Sequence, residues 1–158
     1  MSEACPRCKQ AFTSGHLSKV PVAACEPCNG TLVAQLDLIR LLEGLSSPLL
    51  ARFAVDTQLE AVPDASARVD CPRCARRMYR DDYCGAGLVS FDRCTKCNVL
   101  WFDSEELGGM TLMWARMNAR QARTQEVIRD AIPSIDPLST RMVGRGLLGL
   151  AVWSAFIL

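Results

Sequence analysis

Cys71-Pro72-Arg73-Cys74, followed nineteen residues later by Cys94-Thr95-Lys96-Cys97-Asn98, is the stretch whose reading decides the fold. A Cys-x-x-Cys turn folds two sulfurs to one side. A proline after the first cysteine fixes φ and stiffens that turn. Four deprotonated sulfurs in a tetrahedron are a standard ligand set for structural Zn²⁺. The two pairs reach one metal only if the chain between them doubles back. Residues 77–83 and 86–93 are short aromatic and apolar stretches around Cys84-Gly85, so a β-hairpin with its tip at Cys84 is expected.

Outward from this stretch the pattern recurs. Cys5-Pro6-Arg7-Cys8 and Cys25-Glu26-Pro27-Cys28-Asn29 repeat it nearer the N-terminus, with sixteen residues between the pairs. Eight of the nine cysteines therefore fall into four Cys-x-x-Cys units in two groups of four. The expected metal ligands are Cys5, Cys8, Cys25 and Cys28 for one Zn²⁺, and Cys71, Cys74, Cys94 and Cys97 for a second. The first hairpin is expected to turn at Ser14-Gly15, with Phe12 on one side and residues 17–22 on the other. Each second knuckle is expected to lead into a helix. In copy two, Asp103 is placed to cap it and Glu106 to reach back to the cap's amide. In copy one the helix is expected over 33–42, with Leu36, Ile39 and Leu42 on its apolar face and Gly44 as its stop.

The rest divides by composition. The expected segments are a ribbon over 1–46, a connector over 47–70, a second ribbon over 71–110, a helix over 111–132, and a linker with an apolar tail over 133–158. Leu49, Leu50, Phe53 and Leu59 suggest a short helix in the connector. Pro133 and Pro137 end the long helix. Residues 143–158 carry one charge, Arg145, and are expected to be helical and to promote membrane or self-association. They are too few to cross a bilayer alone.

The pattern C-P-x-C … C-x-x-C-x-x-x-W-[LF]-D-x-x-E-L, carried by Cys71, Cys74, Cys94, Cys97, Trp101, Asp103, Glu106 and Leu107, resembles the transcription-factor-IIB-type zinc-ribbon family. Copy one keeps Cys5, Cys8, Cys25, Cys28, Gly30 and Leu38, but has Leu32 in place of the Trp and Ala34 in place of the Asp. Copy two has Val99 where the family has Gly. The resemblance implies zinc binding. It reaches transcription only through the family's name, because a fold does not fix a function.

Composition excludes several classes. A net charge of +1 argues against a strongly cationic nucleic-acid binder. The start of the chain shows no basic stretch followed by an apolar one, so reduced thiols in a cytoplasmic setting are expected. His16, the one histidine, is expected at a hairpin turn as a surface residue, since four thiolates close each site. Cys84, the ninth cysteine, is read as an ordinary free thiol. Gly144, Gly146 and Gly149 match G-x-G-x-x-G without a βαβ unit around them, and the match is discounted. Arg116, Arg120 and Arg123 share a helix face, and Arg73, Arg76, Arg77 and Arg80 cluster near the second site. Asp81, Asp82 and Asp92 balance them.

The expected fold is small, metal-stabilised α+β: two tandem zinc ribbons, each a hairpin plus a helix, then a long helix and an apolar C-terminal helix. The expected function is a non-enzymatic zinc module that engages a protein partner, membrane-proximal through residues 143–158. A nucleic-acid-binding ribbon using the arginines ranks second, and a redox-switched zinc protein third.

Overall fold

The computed structural model describes residues 4–47, 67–85 and 87–131. The connector helix, Gly144 to Gly149, Pro133 and Pro137, and the tail 143–158 lie outside the described residues. The chain divides into two units, residues 1–119 and 120–158.

In the first unit, both ribbons contribute to one six-stranded antiparallel sheet. Ribbon one supplies β1 (Thr13–Leu17), β2 (Val20–Cys25) and β3 (Gly30–Ala34). Ribbon two supplies β4 (Tyr79–Asp82), β5 (Ser90–Cys94) and β6 (Val99–Phe102). The order is β1-β2-β3-β6-β5-β4, so the third strands of the two ribbons meet at the centre. Their register is Thr31↔Phe102, Leu32↔Trp101, Val33↔Leu100 and Ala34↔Val99. Leu32 and Trp101 are the same position of the repeat, counted from Cys28 and Cys97. The pairing is therefore isologous, the arrangement of a two-fold dimer inside one chain.

These third strands correct the expectation that each second knuckle runs straight into a helix. Val99, Leu100, Trp101 and Phe102 are all buried, as are Thr31, Leu32 and Val33. A continuous apolar run with neighbours on both faces is a central strand, which periodicity alone does not separate from a buried helix. Helices follow only after it. In copy one a 3₁₀ turn (Gln35–Asp37) leads into α1 (Leu38–Leu45). Leu38, Leu41 and Leu42 are buried, whereas Leu36 is 82% exposed, so the apolar face is shifted from the expected one. Gly44 lies inside α1 and does not stop it. A Cβ there would come 2.5 Å from Cβ of Ser18, which makes it the contact point with the first hairpin. In copy two, α2 runs without a break over Glu106–Ala131.

The first hairpin turns at Ser18-Lys19, not at Ser14-Gly15. Both residues have positive φ, 48° and 69°, in the two-residue loop joining Leu17 to Val20. Such a loop matches the right-handed twist of the strands. His16 consequently lies on β1, exposed, opposite Pro21, and not at a turn. The second hairpin turns through the 3₁₀ segment Tyr83–Gly85, as expected, with Tyr83 buried beneath it.

Strand alternation splits the core in two. One sheet face carries Ala23, Leu32, Trp101 and both cysteine sets. The other carries Val22, Val33, Phe91, Leu100 and Phe102, buried together with Leu41 and Leu42 of α1 and Met110 and Met113 of α2. Phe91 and Phe102 stack there with centroids 5.6 Å apart. In the second unit the described residues are the last turns of α2, where Arg120, Arg123 and Val127 are exposed.

Candidate metal centres and the joint between them

Four turns of the same construction present the cysteines. In the first, the amides of Arg7 and Cys8 point at Sγ of Cys5 at 3.4 and 3.5 Å, and Lys9 N donates to the Cys5 carbonyl at 3.0 Å. Ala75 N donates to the Cys71 carbonyl in the corresponding turn at 2.8 Å. The residue after each second cysteine is left-handed: Lys9, Asn29, Ala75 and Asn98 have φ of 64°, 55°, 55° and 50°. Asparagine tolerates that region, so Cys-Asn at 28–29 and 97–98 is a local signal for the conformation, and Lys9 and Ala75 carry none.

The structure brings together Cys5, Cys8, Cys25 and Cys28, and separately Cys71, Cys74, Cys94 and Cys97. Within each set all the sulfurs lie within 4.8 Å of one another. Cys5 to Cys28 is 3.4 Å, Cys8 to Cys25 is 3.3 Å and Cys74 to Cys94 is 3.6 Å. Four sulfurs about 2.3 Å from a tetrahedral Zn²⁺ stand about 3.8 Å apart, so the spacing fits. The donor chemistry fits as well. Burial pushes the Cys25 thiol far above its ordinary range and Cys71 up to about 12. Backbone amides, that of Gln10 for Cys8 and that of Arg76 for Cys74, draw those thiols down to about 7. Four sulfurs held this close, two of them buried in each set, need a cation to be thiolates together. Both sets are compatible with one structural Zn²⁺ each, bound through all four sulfurs.

His16 and Cys84 belong to neither set. Cys84 is exposed, and its Sγ lies 3.6 Å from Sδ of Met117. Partial desolvation raises its pKa, and the thiol stays open to solvent.

What the sequence did not reveal is the joint. Both cysteine sets pack into one apolar cluster with Leu32, Val69, Met78, Val99 and Trp101 at its centre. Trp101 is fully buried, and its ring tip lies over Gly30, where a Cβ would stand 2.2 Å from it. Phe12 meets the same ring at 5.9 Å between centroids. The indole N–H donates to Asp103 Oδ1 at 2.9 Å. Arg7, between the first two cysteines of ribbon one, crosses to the same carboxylate. Its Nε donates to Oδ1 at 3.0 Å and its Nη2 to Oδ2 at 2.6 Å.

Asp103 therefore does not cap α2 with its side chain as expected, because Arg7 and Trp101 occupy the carboxylate. Glu106 does fulfil its expected part, accepting from the Asp103 amide at 2.8 Å. Its other oxygen accepts from Arg80 at 2.6 Å, and Arg80 also donates to Asp92 at 2.9 Å. Asp92 and Glu106 are buried, and burial pushes both carboxyls up, Glu106 to about 7. The arginine cluster seen in the sequence is thus partly interior. Arg80 is held in this network, and Arg77 faces Asp70 at 3.4 Å. A further acid–base pair, Arg93 with Asp81, spans β5 and β4 at 2.5 Å.

On the opposite sheet face an open groove of about 500 Å³ runs between α1 and the first turns of α2. Leu17, Thr31, Leu45, Leu107, Thr111 and Leu112 line it.

Two four-cysteine sets, each carried by three antiparallel strands, define a small α+β fold compatible with two structural Zn²⁺ ions. Residues 4–44, the first ribbon, match the family model described as Transcription factor zinc-finger. The match falls on the copy whose Trp and Asp positions depart from the pattern. The matched residues do not include the second four-cysteine set, which has a similar spacing and the same three-strand plan. No curated protein and no solved structure matches the chain.

Proposed function

We propose that this chain is a non-enzymatic, zinc-stabilised interaction module that engages a protein partner near a membrane. The observation that carries this reading is the inward use of its reactive groups. All eight knuckle thiols converge in closed sets, and Asp92, Asp103 and Glu106 are bonded to arginines. A catalytic zinc keeps an open coordination position, which four cysteines do not leave. The apolar lining of the groove between α1 and α2 suits the nonpolar side chains of a polypeptide better than a phosphate backbone. Among the described residues no helix is long and apolar enough to cross a membrane. The membrane part of the reading rests on the sequence of residues 143–158.

The test uses the zinc-loaded full chain. Crosslinking in the native cells should capture a partner that Leu112→Glu, which places a charge in the groove, no longer captures. Liposome flotation should retain the full chain and release a version ending at Thr140. Sub-micromolar binding to a defined DNA or RNA near physiological salt, unaffected by Leu112→Glu, would overturn the reading in favour of a nucleic-acid ribbon using the exposed arginines.

A further inference from the structure

We propose that the two zinc sites load and unload as one unit, Zn²⁺ at either four-cysteine set raising the affinity of the other. Three features couple them. The first is the shared sheet: β3 and β6 are third strands of different ribbons, yet each completes the other's edge over four residue pairs. A ribbon that loses its metal loses the strand partner its neighbour needs. The second is the shared cluster. Leu32, Val99 and Trp101 belong to one apolar mass that includes cysteines of both sets. Releasing either set opens that mass to water, including the fully buried indole.

The third is Arg7. It sits inside a metal-binding turn, flanked by Cys5 and Cys8, so the turn that zinc organises also aims its guanidinium. That guanidinium makes a two-pronged contact with Asp103 of the other ribbon and reaches Asp92 at 3.9 Å. When the first turn loosens, Asp103 and the buried Asp92 lose a shared cation. Asp103 accepts from the Trp101 indole, and Asp92 lies two residues before Cys94. The disturbance therefore arrives at the second site along bonded contacts. Linkage makes the effect reciprocal: whatever factor the first site confers on the second, the second confers on the first. Couplings of this kind change affinity roughly 5- to 150-fold.

This inference rests on both sets being zinc sites. A chain purified without zinc would fail that reading, whereas a chain that releases two zincs in separate stages would fail this one. The experiment loads the full chain with Zn²⁺ and challenges it with graded chelator. A pulse of N-ethylmaleimide then marks freed thiols, and peptide mass spectrometry scores each set, with Cys84 as the always-accessible reference. The two sets should become alkylated over the same chelator range. In Cys28→Ser, protection of Cys71, Cys74, Cys94 and Cys97 should fall roughly 5- to 150-fold although none of these is altered. Arg7→Gln, which keeps all eight ligands and covers the case in which Cys28→Ser does not fold, should weaken protection of both sets. Complete release of one set while the other stays protected would overturn the proposal. So would second-set protection unchanged within about twofold in the variants.

Discussion

Ribbon one has Leu32 and Ala34 where ribbon two has Trp101 and Asp103, and ribbon one has Gly30 where ribbon two has Val99. Read copy by copy, these are scattered departures from one pattern. Across the β3–β6 joint they are reciprocal. The ring of Trp101 reaches over the other ribbon's third strand to Gly30, which has no Cβ to block it. The symmetry-equivalent positions are Leu32 and Val99, a leucine and a branched side chain that lie in the same apolar cluster. At the joint one large ring meets one glycine, and a leucine and a valine occupy the equivalent positions. A second tryptophan would have to share the centre of the sheet with the first. The two copies are unlike halves of one interface, one contributing the ring and the other the space for it.

The largest expected effect tests whether both ribbons depend on metal. Cys94→Ser removes a buried ligand, and structural zinc contributes apparent binding energy of roughly 10–16 kcal/mol in small domains. The second ribbon should lose its folded signature in an NMR amide spectrum, and elemental analysis should show fewer than two zincs per chain. Two bound zincs and an unchanged spectrum would refute the assignment.

Next comes the asymmetry of the central pair. Trp101→Ala should destabilise by about 3–5 kcal/mol, as truncation of a fully buried aromatic does. Leu32→Ala should cost less, because the indole also anchors Asp103. Chemical denaturation of the zinc-loaded protein measures both, and equal costs would remove the distinction between the copies.

A sharper test is compensation. Gly30→Ala places a Cβ 2.2 Å from the indole and should cost about 1–3 kcal/mol or more. In a Trp101→Leu background the same change should cost clearly less, the remaining close neighbour being the Phe102 carbonyl at 3.2 Å. A double-mutant cycle without coupling would show that the glycine and the ring are independent.

The smallest effect is a pH slope. Burial holds Glu106 at about 7 against an ordinary 4.5, so the folded chain keeps a proton that the unfolded chain has already lost. Its contribution to stability is therefore present below about pH 4.5 and falls as pH rises toward 7. Glu106→Gln removes this dependence. With zinc in excess, the variant's stability relative to the parent should rise between pH 5 and 8 by about 1–3 kcal/mol, one pKa unit being about 1.4 kcal/mol. A flat difference would mean that Glu106 stays ionised throughout.

Much of the metal chemistry was legible in the sequence. Cysteine spacing is a local property of a turn, so the eight cysteines and their grouping into two sets could be read without a fold. The second hairpin and the reach of Glu106 back to the Asp103 amide were equally local. Other elements were misread because local patterns compete. Ser14-Gly15 looks like a turn, but the chain turns at Ser18-Lys19, two residues with no strong left-handed preference that the flanking strands force into it. Residues 99–102 read as the approach to a helix and are a central strand. A fully buried strand shows no alternation, and only a partner on each side reveals it.

The sequence by itself determined which cysteines group together and that their donor chemistry suits zinc. Spacing of two residues is fixed by covalent geometry and needs no distant partner to be read. The tertiary structure alone decided that the two ribbons share one sheet, that Trp101 and Gly30 are one contact, and that Arg7 and Asp103 form a bonded pair although 96 positions separate them. Pairing between distant strands depends on which edges find each other once each hairpin has formed. Nothing in the local pattern of either edge records the identity of its partner.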